Sequence, residues 1–106
     1  MHDLRTEVRG DHSVIVVAGE VDLSWSQLLR KAVLDALAGG GSVAVQLSGV
    51  EYIDSSGIAA LVEGFQLARS KSQPFGLLQA SKPVMSVLKL ARLDRVFPLW
   101  SELPSA

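Results

Sequence analysis

The chain has 106 residues, of which 48% are hydrophobic and 20% are charged, a composition typical of one compact globular domain. The formal net charge of −1 and the lack of a Lys/Arg run argue against direct binding to nucleic acid, and the lack of cysteine excludes disulfides, thiolate zinc sites and thiol nucleophiles. No apolar run approaches the ~20 residues of a membrane helix, and charges stand where a signal peptide would be apolar. We therefore expect a cytoplasmic protein that does not insert into a membrane.

Apolar periodicity divides the chain into five predicted strands and three predicted helices. Short β-branched or apolar runs indicate strands, whereas apolar residues at intervals of three and four indicate helices. The predicted strands cover residues 4–9, 13–18, 43–47, 75–79 and 93–99. The first helix is predicted from a capping box at 24–27 to the glycines at 39–41, the second from the loop at 54–57 to the break at 72–74, and the third from 81–83 to 91.

The resulting order, β-β-α-β-α-β-α-β, predicts an α/β fold with a mixed, mostly parallel sheet and crossover helices. We expect a single domain over residues 1–106, with its core at about 4–100 and a frayed tail over 101–106. Loops at the carboxyl ends of parallel strands meet along one edge of the sheet. Asp22 follows one predicted strand and Asp54-Ser55 follows the next, so these residues are expected at the same edge.

The segment Asp54-Ser55-Ser56-Gly57 carries the main functional signal of the sequence. A serine nucleophile needs an adjacent base, usually histidine, and the only histidines, His2 and His12, precede the second predicted strand and are expected far from this edge. The carboxylates show no metal-ligand spacing, and no Gly-rich phosphate loop ends in Gly-Lys. The sequence therefore predicts no catalytic residue, no metal site and no cofactor.

Two interpretations of this segment remain open, and they are compatible with one another. Asp54 or Ser55 is suited to cap the second helix by accepting a hydrogen bond from a free backbone N–H. A phosphoryl group on Ser55 would also be tolerated there, because the start of a helix favours an anion. That group would add about −1.5 to −2 charges beside Asp54, and it would act mainly on a docked partner.

Several segments together resemble a STAS domain, and most closely the bacterial anti-sigma factor antagonists. The resemblance rests on residues 19–22, 43–47, 52–58 and 93–97. It implies the STAS fold, here with a short or absent C-terminal helix, and a protein that is not an enzyme. It also implies binding to an anti-sigma factor with serine kinase activity, which releases a sigma factor for transcription.

The same resemblance implies a phosphorylation switch. The kinase would phosphorylate Ser55 and so abolish binding, and a separate phosphatase would restore it. The partner-binding residues implied by the match are Asp22, Tyr52, Asp54, Ser55, Ser56 and Gly57.

An alternative comes from other small STAS proteins, which are cytoplasmic subunits of phospholipid-transport ABC transporters. In that interpretation the domain docks on the transporter ATPase. The apolar segment at residues 96–100 would suit such docking.

Overall fold

The computed structural model describes residues 2–105, so Met1 and Ala106, at the ends of the predicted domain, lie outside the described residues. The elements in chain order are β1 (Asp3–Arg9), β2 (His12–Val21), α1 (Leu23–Ala38), β3 (Ser42–Ile53), α2 (Ser55–Ser70), β4 (Phe75–Leu78), α3 (Lys82–Leu90) and β5 (Leu99–Trp100). The predicted α/β class and element order are confirmed.

The five strands form one sheet in the order β1-β2-β3-β4-β5. β1 pairs antiparallel with β2 as a hairpin, and every other neighbouring pair is parallel. Each parallel connection contains a helix, as a crossover between parallel strands requires. The predicted mostly parallel sheet is therefore confirmed.

The pairing of β2 with β3 is longer than the sequence predicted, and it contains two irregularities. It begins with His12 opposite Ser42 and ends with Val21 opposite Ile53, so the offset between paired residue numbers grows from 30 to 32. The register shifts lie between Val16 and Ala18 and between Gly19 and Glu20. The two extra residues on β3 bring the ends of the two strands level with one another.

All three helices pack on one face of the sheet. Their buried apolar residues form one cluster with the alternate strand residues that point to this face. Its largest fully buried side chains include Ile15, Leu29, Leu37, Leu47, Leu61, Leu77 and Leu88. Because one continuous core joins every helix to the sheet, the helix starts at the sheet edge are held by buried contacts.

On the opposite face of the sheet, the part formed by β2, β3 and β4 is covered by the segment that follows α3. A second, smaller cluster contains Val14, Val16, Ala44 and Leu78, with Trp100 and Leu103 packed against it. The His12 ring ties this segment down, since its Nε2 lies 2.9 Å from the carbonyl oxygen of Pro104 and its Nδ1 lies 2.7 Å from Ser42 Oγ. Residues 101–105 contain no helix, so a non-helical tail covers this face.

The last predicted strand, over residues 93–99, is wrong in extent. The backbone N–H groups of Val96 and Phe97 donate to the carbonyl oxygen of Leu93, which places this segment in turns, and only Leu99–Trp100 forms β5. Phe97 is buried in the helix-side core. Its apolar character in the sequence therefore suggested the inner face of a strand, although it lies in a turn. Within residues 2–105, no helix is both long and apolar enough to cross a membrane.

We predict that Gly76→Ala loosens the tail. A Cβ at Gly76 would overlap the Trp100 ring atoms Cδ2 and Cε2, so the indole has to move off the sheet. Overpacking of this kind destabilises by about 1–3 kcal/mol. Urea unfolding measures the loss of stability, and Trp fluorescence measures the movement of the Trp100 indole. Gly39→Ala is the matched control, because a Cβ there meets its nearest atom only at 3.4 Å; equal losses in both variants would contradict the prediction.

Candidate functional site

The carboxyl ends of β2 and β3 bring Asp22 and Asp54 to the same edge of the sheet. Val21 and Ile53 are paired at the last ladder position, and the Asp54 N–H donates to the carbonyl oxygen of Val21 at 3.2 Å. The residue that follows each strand, Asp22 after β2 and Asp54 after β3, is the N-cap of the next helix. The two carboxylates therefore lie side by side, as the predicted topology implied.

Asp22 and Asp54 cap their helices with nearly the same geometry. Their φ and ψ angles are −100° and −170° for Asp22 and −101° and −174° for Asp54. Asp22 Oδ1 accepts from the N–H of Ser24 at 3.0 Å and from its Oγ at 2.6 Å. Asp54 Oδ1 accepts from the N–H of Ser56 at 2.9 Å, from its Oγ at 2.5 Å, and from the N–H of Gly57 at 3.2 Å.

The site thus contains one structural unit twice. In each copy a strand is followed by a capping aspartate, then by a residue whose side chain takes no part in the cap, then by a serine whose hydroxyl donates to the aspartate. The capping box predicted at residues 24–27 is wrong, because the cap of α1 is Asp22 and Ser24 lies inside the first turn. For α2, the cap is Asp54, one of the two residues proposed for that role.

This arrangement distinguishes the two serines of the loop. The Ser56 hydroxyl donates to Asp54 and is half-buried. Ser55 is the first residue of α2, its side chain is exposed, and its hydroxyl makes no hydrogen bond to another of the described residues. A reagent or a partner protein therefore reaches Ser55 without first breaking the cap.

The cap hydrogen bonds lower the pKa of both aspartates. The hydroxyl of Ser56 lowers the pKa of Asp54 below its ordinary value, with the backbone N–H groups of Gly57 and Ser56 acting in the same direction. The nearby charge of Asp22 acts in the opposite direction and raises it in part. The hydroxyl of Ser24 likewise lowers the pKa of Asp22. The edge is consequently acidic at neutral pH.

Gly57 allows α2 to start directly on the strand ends. A Cβ at this position would lie 2.7 Å from Ile53 Cγ1 and 2.9 Å from Val21 Cγ1, both closer than real contacts allow. The first turn of α2 therefore rests on the last residues of both β2 and β3. This packing fixes the position of Ser55 relative to the sheet.

Two exposed apolar residues stand close in sequence to the capping aspartates. Tyr52, a predicted partner-binding residue, is 51% exposed, so it is not packed under the loop. Leu23, which occupies in α1 the position that Ser55 occupies in α2, is 68% exposed. The sequence interpretation missed Leu23, although the repeated Asp-x-Ser pattern at residues 22–24 and 54–56 could have indicated it.

The expected distance of both histidines from this edge is wrong for His2. Because β1 runs antiparallel to β2, the start of β1 lies at the carboxyl end of β2. The His2 ring stacks on Trp25 with centroids 4.5 Å apart, and its charge lowers the pKa of Asp22. Within the described structure, His2 makes no hydrogen bond to Ser55. His12 lies at the opposite end of β2, where its ring is hydrogen-bonded to Ser42.

A narrow cleft of about 230 Å³ separates the first turns of α1 and α2. Ser56 lines it, and an ion pair between Arg30 and Glu63, with Nη2 and Oε2 2.8 Å apart, crosses it. The cleft is too small for a drug-sized ligand, whose pockets measure roughly 300–1,000 Å³. Within residues 2–105, no group of three or more His, Asp or Glu side chains is placed to hold a metal ion.

Comparison with known families assigns the chain. The family model described as "Mlab, STAS domain" matches residues 4–101, which is nearly the whole chain. The chain belongs to the STAS domain family. The STAS fold predicted from the sequence is confirmed by this match and by the solved structures of the same fold.

Two solved structures are similar to this STAS domain over almost its full length. An anti-sigma factor antagonist from Mycobacterium paratuberculosis is 28% identical, with a TM-score of 0.86 over 97% of this chain and 88% of that one. A Thermotoga maritima protein described as a candidate anti-sigma factor antagonist is 25% identical, with a TM-score of 0.85 over 94% of this chain and 87% of that one.

A third structure has the same fold at lower identity. It is the Bacillus cell fate determinant SpoIIAA in its phosphorylated form, which is 19% identical, with a TM-score of 0.72 over 96% of this chain and 93% of that one. At this identity the likeness establishes the fold of the STAS domain alone.

We predict that Asp54→Ala destabilises the STAS domain while Asp54→Asn does so much less. Alanine leaves the N–H groups of Ser56 and Gly57 without the acceptor they have in the structure, and loss of such a cap costs about 0.5–2 kcal/mol. Asparagine keeps an acceptor oxygen in the same place. Urea unfolding at neutral pH measures both variants. Equal stability of wild type and Asp54→Ala would show that the cap contributes nothing.

A second prediction concerns the dependence of stability on pH. Because the pKa of Asp54 is lowered in the folded state, the folded protein binds the proton less tightly than the unfolded chain does. The stabilisation that ionised Asp54 contributes is complete above the ordinary aspartate pKa of about 4, and it is lost as the pH falls through the lower pKa of the folded state. Wild type should therefore lose more stability than Asp54→Asn between about pH 6 and pH 3, measured by urea unfolding. Parallel losses would contradict this assignment.

Proposed function

We propose that this STAS domain is an anti-sigma factor antagonist that is switched off by phosphorylation of Ser55. In the cytoplasm it would bind an anti-sigma factor with serine kinase activity and so release a sigma factor. A phosphatase acting on phospho-Ser55 would return it to the binding state. The proposal rests mainly on one observation, the exposed and unbonded hydroxyl of Ser55 at the first position of α2.

The geometry around Ser55 supports a modification site. A phosphoryl group there would meet the positive end of the α2 dipole, which favours an anion, while its oxygens project into solvent. It would also add about −1.5 to −2 charges beside the ionised Asp22 and Asp54. The helix start tolerates that charge, but a partner docked on the same edge would face a much more negative surface.

The surface around Ser55 also supports protein binding. Leu23 and Tyr52 expose apolar area at an otherwise acidic edge, and aromatic and aliphatic anchors beside polar groups are typical of protein interfaces. Asp22, Asp54 and Ser56 are held by the caps and Gly57 by close packing, so this surface is formed before a partner arrives. A preformed surface binds without an additional ordering cost.

The likeness to anti-sigma factor antagonists is the second support. The two similar structures are of proteins so described, and the match covers more than nine-tenths of this chain in both. A STAS-fold protein, SpoIIAA, has also been solved in a phosphorylated form. In our proposal the domain is a substrate and a ligand rather than an enzyme, and the kinase supplies the base that Ser55 lacks.

The alternative role, as a subunit that docks on an ABC transporter ATPase, loses part of its motivation. The apolar segment at residues 96–100 is one of its supports in the sequence, but Phe97 is buried in the helix-side core and Trp100 packs on the opposite face. The exposed apolar residues of this segment are Val96, Pro98 and Leu99, and the buried Phe97 interrupts them. The alternative therefore rests mainly on family resemblance.

We predict that an anti-sigma serine kinase with Mg²⁺ and ATP transfers one phosphoryl group to the wild-type domain and none to Ser55→Ala. Ser56→Ala should still be labelled, because Ser56 binds the cap and is not the acceptor. Intact-protein mass spectrometry measures the labelling. Affinity for the kinase, measured by calorimetry, should fall at least about tenfold on phosphorylation, through charge repulsion at the docked edge.

Two results would contradict this function. Labelling of Ser55→Ala would move the acceptor elsewhere, and unchanged affinity after full phosphorylation would remove the switch. Capture of an ABC ATPase rather than an anti-sigma kinase, with binding insensitive to phosphorylation, would establish the transporter role instead.

A further inference from the structure

β1 is an edge strand whose outer side is unpaired among the described residues. Its odd-numbered residues point to the face opposite the helices, since Arg5 and Glu7 lie opposite Val16 and Val14 in the hairpin. These residues form a row of alternating charge along the edge. Within the row, Arg5 pairs with Asp3 and with Glu7 at 2.8 Å, and Arg9 pairs with Glu7 at 2.7 Å.

The charge order along this row is complementary to itself when a second β1 runs antiparallel to it. If two copies pair with Thr6 opposite Thr6, Arg5 faces Glu7 and Asp3 faces Arg9 on both sides of the centre. Residues directly opposite in antiparallel strands have Cβ atoms ~4.5–5.5 Å apart, close enough for opposite charges to attract. Every charge in the row then faces an opposite charge on the other copy.

Other registers of the same pair are disfavoured. A shift by two residues in either direction places Arg5 against Arg5 or Glu7 against Glu7, and parallel in-register pairing places like charges together throughout. A shift by four leaves only a short overlap at one end of each strand. Charged side chains on an edge strand usually disfavour pairing with other chains. Here their order also favours one register of self-association.

The helix-side face of the same edge has apolar area to bury. Val8 is 79% exposed, and the register centred on Thr6 places it opposite Leu4 of the other copy. Leu4 lines an open groove between β1 and α1, of about 560 Å³, together with Thr6, Leu28 and Ala32. A second copy would thus cover Val8 and close the outer mouth of this groove.

We propose that this surface binds a second copy of the chain, with the two β1 strands antiparallel about Thr6. The pairing joins two five-stranded sheets into one continuous sheet and keeps the helices of both copies on the same side. The interface consists of one strand and a narrow apolar strip from each copy. We therefore expect a weak dimer whose population depends on protein concentration.

Charge exchange tests the register. Sedimentation velocity of the full chain over a wide concentration range should show a monomer–dimer equilibrium for wild type. Arg5→Glu places like charges opposite each other twice per dimer, as does Glu7→Arg, and each should weaken dimerisation at least about tenfold. An equimolar mixture of the two single variants restores opposite charges only between the copies and should restore the dimer, which a mere loss of stability in the single variants would not do.

Disulfide trapping tests the geometry independently, because the chain contains no cysteine. Thr6→Cys should form a covalent dimer on mild oxidation, since residue 6 meets its own copy at the two-fold axis. Val8→Cys is the control, because the two residues at position 8 would be separated by four residue steps, or ~14 Å. A wild-type chain that stays monomeric at millimolar concentration overturns the proposal. So does a dimer insensitive to Arg5→Glu, or trapping at position 8 as efficient as at position 6.

Discussion

The parallel pairing of β2 with β3 is the constraint on which the site depends. With a constant offset of 30, Asp22 would stand level with Tyr52, and the two helices would begin two residues apart. The register shifts raise the offset to 32, so Asp22 stands level with Asp54 and both helices begin at the same height. Gly57 then allows the first turn of α2 to contact the last side chains of both strands. Sheet register, rather than loop conformation, therefore places Ser55.

Because the strand register places Asp54 as the cap of α2, capping does not involve the hydroxyl of Ser55. A helix start needs an acceptor for its free N–H groups, and Asp54 supplies it with the help of Ser56. The cap is complete without the Ser55 hydroxyl, which is exposed and makes no hydrogen bond to another of the described residues. In α1 the equivalent position carries Leu23, which offers apolar contact instead. The same strand–cap–helix unit, used twice, thus exposes a hydroxyl at the start of α2 and an apolar side chain at the start of α1.

Much of this fold could be predicted from the sequence, because most of its signals are local. Alternating apolar runs gave the order of all the elements, and strand order placed Asp22 and Asp54 at one edge. What the sequence could not show depends on contacts between distant residues. The register shifts arise where β2 meets β3, and Phe97 is buried by a turn against the helices rather than by a strand. His2 reaches Trp25 only because the hairpin returns the chain start to the carboxyl edge.

The proposed switch at Ser55 would not require the domain to refold. The strand ends, the caps and Gly57 form a buried or hydrogen-bonded frame, and Ser55, Leu23 and Tyr52 project from it into solvent. In the proposed switch, a charge added at Ser55 would change the potential that a partner meets, while the frame would keep its hydrogen bonds. β1 lies two strands away from β3, the strand that leads to Ser55, and its charged edge faces outward from the sheet. The proposed self-association would use the outer side of β1, whereas the proposed partner site lies at the carboxyl ends of β2 and β3.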